Sequence, residues 1–426
     1  MKRNNMINVI KAYSITVLMV FISSTNLYAE NFCSSLFSQK TSKGSLFSNI
    51  VIQLSKVPGV NKIPKISDTA HIQKMINSQQ NHSPEDAYPF GPEFTLTNPK
   101  LIAEGNQNPT NYNLSSNPIK AQALHEFWDL VKEKCKGYPG CTYRNSTDKH
   151  GDALEVRFED GFYFTIGNDS CVIEINARPE TINGFKKASH YIEEFVFVLG
   201  KQMGLEPHIK VGQGHIHISR LAFLENGFLL RNFFVDFQNR PEIIYGALGN
   251  HLFNSPPLSA QKREQRVELN DFLEELDQRG SYTIEEFVNG IHQRVYTSTI
   301  AAEWGRPEFY QAFNMTRLLL ALEKATLEIR SLRPQRSVRE YELLTKLFSA
   351  WIEHLRKIDK PIKYNMSHRY EFTNIEIVDG FYKLIQKLEL SWSEYKELLP
   401  PHLVSITPSA LASKKSKPSL RRFKNQ

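Results

Sequence analysis

Residues 153–179 read ALEVRFEDGFYFTIGNDSCVIEINARP. Three runs rich in β-branched and aromatic residues are divided by Asp160-Gly161 and Asn168-Asp169. Both dipeptides are strong turn formers, so the stretch predicts an antiparallel meander. Upstream, IKAQALHEFWDLVKEKC has helical spacing, with Leu124, Phe127, Trp128 and Val131 on one stripe. Earlier still, FGPEFTL (90–96) predicts a short strand. Downstream, FKKASHYIEEFVFVLGKQMG predicts a helix closed by Gly204, and VGQGHIHISRLAF (211–223) predicts a further strand. Beyond it the pattern turns helical, over roughly 225–239 and 259–279, then from the capping pair Thr283 and Glu286. A helix over about 307–323, a strand in ATLEIRSL (325–332) and helices over about 337–357 and 370–388 follow. The expected class is α+β, an antiparallel sheet with a large helical portion.

The ends differ from the body. Lys2, Arg3 and Lys11 flank the apolar run AYSITVLMVFISS, and Ala29 stands at a cleavage position. That run is short for a bilayer span, so residues 1–29 read as a secretory signal peptide, and the protein as exported to the periplasm or medium. Residues 30–87, rich in Ser, Asn, Gln and Lys, read as an N-terminal extension and linker. Residues 88–400 hold the main domain, and 401–426 a flexible basic tail. The formal charge of +7 is set by these ends: without the tail's six cations and the signal's three, −2 remains. The folded body therefore has no cationic run for nucleic acid, and no membrane attachment is expected after signal cleavage. Among Cys33, Cys135, Cys141 and Cys171, the segment CKGYPGC can close a small disulfide loop in an oxidising compartment. A zinc-binding cysteine set is disfavoured, because no CxxC pair is present. Oligomeric state has no signature in the sequence.

Chemistry enters through strand alternation. Residues i and i+2 of a strand point to one side. Glu93 and Thr95 alternate with Phe94 and Leu96, and Glu174 and Asn176 with Ile173 and Ile175. His215, His217 and Ser219 alternate with Ile216 and Ile218, and Glu328 and Arg330 with Leu327 and Ile329. Any one such pair is what a solvated sheet face shows. Glu155 and Arg157 in the meander are read as a cross-strand surface pair of this kind. Taken together, with the glycines of GQGH allowing close backbone approach, the four strands point to a metal or anion site.

In their order along the chain, FGPEFTL, SCVIEINARPET, GQGHIHI and LEIRSL resemble the amidoligase family. This is a branch of the carboxylate–amine ligase superfamily, similar to the catalytic domains of glutamine synthetase and γ-glutamylcysteine synthetase. The resemblance covers roughly residues 88–360. It implies a glutamine-synthetase-like domain: an antiparallel sheet with a concave active face, helices packed on the other side. It also implies ATP- and Mg²⁺-dependent amide bond formation through an acyl phosphate. Carried over by residue, Glu93, Glu174, Glu328 and His215 would hold Mg²⁺. His215, His217 and Arg330 would face the nucleotide, and Glu174 and Arg330 would be catalytic. Pro179 lies further from Glu174 than the family pattern places its proline. Thr95 stands where members often carry a second acid and offers only a neutral oxygen, with Asp169 and Glu180 the nearest substitutes in sequence. The implied partners are small-molecule or peptide carboxylates and amines. Two other readings stand beside this one. One is an exported binding or structural protein on the same fold with an incomplete metal site. The other is a metal-dependent hydrolase in which His215 and His217 ligate zinc with one carboxylate.

Overall fold

The computed structural model describes residues 83, 85–107, 117–148, 150–169, 171–208, 211–223, 227–249, 263–296, 311–367 and 371–409. The expected signal peptide, nearly all of the N-terminal extension and the tail from residue 410 lie outside the described residues. The class is α+β, mixing helices with antiparallel strands. Eight strands are formed among the described residues: β1 (Phe90–Leu96), β2 (Thr142–Asp148), β3 (Gly151–Arg157), β4 (Tyr163–Asp169), β5 (Val172–Ala177), β6 (Ile216–Ser219), β7 (Phe313–Asn314) and β8 (Thr326–Ile329). The main helices are α1 (Pro99–Gln107), α2 (Pro118–Lys136), α3 (Ile182–Ile192), α4 (Gly227–Gln238), α5 (Arg263–Arg279), α6 (Ile284–Gly290), α7 (Val338–Arg356) and α8 (Asn374–Lys387). No helix among the described residues is long and apolar enough to cross a membrane. The chain divides into two compact units, one built on Leu96–Ile175 with Leu199–Glu206, the other on Asn176–Val198 and Pro207 onward with the residues preceding Leu96.

The first unit is the expected meander, lengthened by one strand. β2, β3, β4 and β5 are neighbours in that order. β3 runs antiparallel to both β2 and β4, pairing Glu155 with Arg144 and Val156 with Phe164. Gly161 turns the β3–β4 connection at φ +86°, a conformation open to glycine at little cost, and Asp160 Oδ1 accepts from Phe162 N at 3.0 Å. Asn168 and Asp169, expected as the second turn, belong instead to the end of β4. β2 was not expected, because TYRNSTD is polar and mostly exposed and shows no alternation. Glu155 is a cross-strand partner but a buried one, accepting from Arg144 Nε of β2 at 2.8 Å and from Arg157 Nε of its own strand. α2 begins at Asn117, whose side chain accepts from Lys120 N, and buries Leu124, Phe127, Trp128 and Val131 as the spacing predicts. The Cys135–Cys141 disulfide, with Cα atoms 5.2 Å apart, ties the end of α2 to the start of β2.

In the second unit the strand order is β1-β6-β8-β7. β6 is antiparallel to β1 and β8, and β7 to β8. Alternation divides these strands into two faces. Ile216, Ile218, Leu327, Ile329 and Phe313 are fully buried on one. Phe313 joins an aromatic cluster around Phe233 of α4, whose ring lies 5.8 Å from Phe223, 5.4 Å from Phe313 and 5.7 Å from Trp351 of α7. Trp351 Nε1 donates to Asp236 at 2.7 Å, so the indole hydrogen is satisfied inside the core. α6 and α8 both start on full capping boxes, at Thr283 with Glu286 and at Thr373 with Glu376. The helix expected over about 307–323 is absent from its described part. Residues 313–314 form β7, and two short 3₁₀ turns follow at Thr316–Leu319 and Leu322–Lys324. Asn314 causes the break: its Oδ1 accepts from Thr316 N at 3.0 Å and Thr316 Oγ1 at 2.8 Å, a local turn that competes with a helix.

Because Phe233 stands at the centre of this cluster, Phe233→Ala is expected to cost about 4 kcal/mol. Urea denaturation checks this through a lowered midpoint at unchanged slope.

Candidate metal centre on the polar strand face

The other face of the second unit's strands gathers the polar residues. Register places His217 opposite Gly91 on β1 and opposite Glu328 on β8, and Asn314 opposite Glu328 from β7. Glu93, two residues along β1 from Gly91, lies on the same side. Its backbone N donates to His215 O at 3.1 Å, fixing the approach of β1 to the segment before β6. Gly91 eases that approach: a Cβ there would stand 3.3 Å from His217 Cβ, a tight contact.

The side chains converge. His215 Nδ1 lies 2.7 Å from Glu93 Oε1 and 3.2 Å from Glu328 Oε1, yet it makes no hydrogen bond. His217 Nε2 lies 4.0 Å from Glu93 Oε2, and its Nδ1 lies 3.3 Å from Thr326 Oγ1. Arg330 donates to Glu328 Oε1 at 2.5 Å, and Asn314 to Glu328 Oε2 at 2.7 Å. One ligand atom from each of Glu93, His217 and Glu328 falls within 4.8 Å of the others, the spacing of a shared cation. All of these side chains except His217 are at least nine-tenths buried.

The electrostatics follow from that burial. Desolvation pushes the Glu328 carboxyl up, but Arg330, His217 and His215 together outweigh it and hold it at about 2. Glu93 opposes them as a like charge. Two carboxylates and two imidazoles are thus buried beside one guanidinium, and His215 Nδ1, without a hydrogen bond, lies between the carboxylates. Such a group fits a divalent cation, with the carboxylates as hard ligands and the imidazoles as borderline ones. Thr326 and Gln213 supply outer contacts to the two rings, as ligating histidines commonly require.

Within the second unit, Glu93, His215, His217, Glu328 and Arg330 thus meet. Glu174 stands on β5 in the first unit, where its carboxylate, His150 and Asp169 offer ligand atoms within 4.8 Å of one another. The Thr95 hydroxyl donates to Gln213 O at 3.2 Å. Of the two substitutes, Asp169 is grouped with Glu174, and Glu180 pairs with Arg178 at 3.1 Å. Asn314 was missed because it was read inside a helix. Gln213 was missed because glutamine in a glycine-flanked loop has no spacing signature.

No protein-family model matches the chain. No curated protein matches it either. The chemistry must be argued from the residues.

Replacing Glu328 by Gln removes the charge that Arg330 requires, with an expected loss of about 3 kcal/mol near neutral pH. A carboxyl held at about 2, against 4.5 when unperturbed, stabilises the fold above the higher value. That contribution is lost as pH falls from 4.5 toward 2. The stability gap between wild type and Glu328→Gln should therefore narrow over this window in urea titrations run at successive pH values.

Proposed function

We propose that this protein is a divalent-cation-dependent carboxylate–amine ligase driven by ATP, with the polar strand face of the second unit as its metal centre. The observation that carries the proposal is the meeting of Glu93, Glu328, His215 and His217 with Arg330 in a buried group, at distances suited to a bound cation. The nucleotide, the glutamine-synthetase-like form of the fold and the concave active face are supported by the resemblance of FGPEFTL, GQGHIHI and LEIRSL to amidoligases. With the export expected from residues 1–29, the ligase would act after delivery to a compartment that holds ATP.

The residues divide the work. Glu93, Glu328 and His217 would hold Mg²⁺, with His215 completing the set. Bound there, the cation neutralises charge on a phosphoryl group. Arg330, oriented by its bond to Glu328, is the group able to meet a phosphate or substrate carboxylate. Burial strengthens each of these interactions, because little water remains to screen them. Thr95 leaves this centre with one acid fewer than the family pattern, which fits a single cation in the second unit.

A second reading is favoured by the two imidazoles. Zinc held by His215, His217 and one carboxylate would make the centre that of a hydrolase, with a water-bearing fourth position.

Thermal melting separates the two. The ligase is expected to gain roughly 5 °C with Mg²⁺ and ATP together at a hundredfold excess over their dissociation constants. Glu93→Gln should abolish the gain. About one zinc per chain on metal analysis, with no nucleotide response, would establish the hydrolase instead.

A further inference from the structure

The two histidines address the centre through different nitrogens. His217 keeps Nδ1 toward Thr326 Oγ1 and turns Nε2 toward Glu93. His215 does the reverse. Its Nε2 lies 2.5 Å from Gln213 Oε1. An amide oxygen can only accept, so the hydrogen sits on Nε2. In the neutral ring Nδ1 is then a bare lone pair beside two carboxylate oxygens, at 2.7 and 3.2 Å, with no hydrogen bond to either. Three electron-rich atoms so placed, nearly out of reach of water, repel one another, and a cation lying among them relieves that repulsion. Donors bound at right angles to an ion about 2.1 Å away stand about 3 Å apart. The two observed separations bracket that spacing.

The segment carrying Gln213 is pinned from several sides. Thr95 Oγ1 donates to Gln213 O at 3.2 Å, and Glu93 N to His215 O at 3.1 Å. Between them, Gly214 O accepts from Gln335 Nε2 at 3.0 Å. Gly214 cannot carry a side chain: a Cβ there would fall 2.0 Å from Gln335 Nε2. Gln213 is itself almost fully buried, so its amide has few other places to point. Each of these contacts fixes where His215 presents its ring.

We infer that Gln213, held by Thr95, is a positioning residue that fixes His215 as the Nε2–H tautomer and presents Nδ1 as a cation ligand between Glu93 and Glu328. The inference rests on the metal-centre reading above and assigns Thr95 an outer role at a position where amidoligases often carry an acid.

Long-range ¹H–¹⁵N spectra of histidine-labelled, metal-free full-length protein test it, with His215→Asn identifying the resonances. Wild type should show the Nε2–H tautomer at His215, and added Zn²⁺ should shift the Nδ1 resonance. Gln213→Leu should lose the tautomer preference and bind Zn²⁺ 10- to 100-fold more weakly. Gln213→Glu, which still accepts from Nε2–H, should restore affinity to within about threefold of wild type. An Nδ1–H or doubly protonated ring in wild type would overturn the inference. So would a Gln213→Leu protein that matches wild type in both spectrum and affinity. A wild type that holds the Nε2–H tautomer yet binds no divalent cation would overturn the metal centre, and with it the ligand role of Nδ1, while Gln213's control of the tautomer would stand.

Discussion

The carboxylates of Glu93 and Glu328 are buried together beside Arg330 and two imidazoles. Burying charge is costly unless it is paired and hydrogen-bonded, and an unpaired surplus is costlier still. The second unit meets this demand at Glu328 through Arg330 and Asn314, which bind its two oxygens. Glu93 faces the two imidazoles across the same buried space. A sheet packed by its apolar face gains little from so many buried polar groups on the other, whereas a binding site uses them as ligands.

The apolar face makes the arrangement possible. Ile216, Ile218, Leu327, Ile329 and Phe313 lock β6, β8 and β7 against the aromatic cluster of α4 and α7, so a slip in register would expose that core to water. The same register sets His217 beside Glu328 and Asn314 beside Glu328. Packing on one side thus sets the ligand geometry on the other. Burying a charged group in this way lowers its mobility, which is what a preorganised centre requires.

Much of this was legible in the sequence. The spacing of two between Glu328 and Arg330, and between His215 and His217, survives folding because strand geometry dictates it. The meander, the stripe of α2 and the capping box at Thr283 rest on equally local rules. What was hidden depends on neighbours. Alternation tells which side of a strand a residue faces but not which side chains from elsewhere meet it, so the group that Glu174 forms with His150 and Asp169 had no signal in the sequence. Asn314 sits on a strand of two residues, too short for any periodic signal. Thr95 read as a lost ligand, and only its hydrogen bond to Gln213 O gives it a different place.

The central claim is that a single divalent cation binds among Glu93, His217 and Glu328, with His215 Nδ1 beside it. Anomalous diffraction from crystals soaked in Mn²⁺ tests it most directly. One strong peak within ligand distance of Glu93, Glu328 and His217 is the expected result. A map with no peak there, while the same crystals take up Mn²⁺ elsewhere, would contradict it.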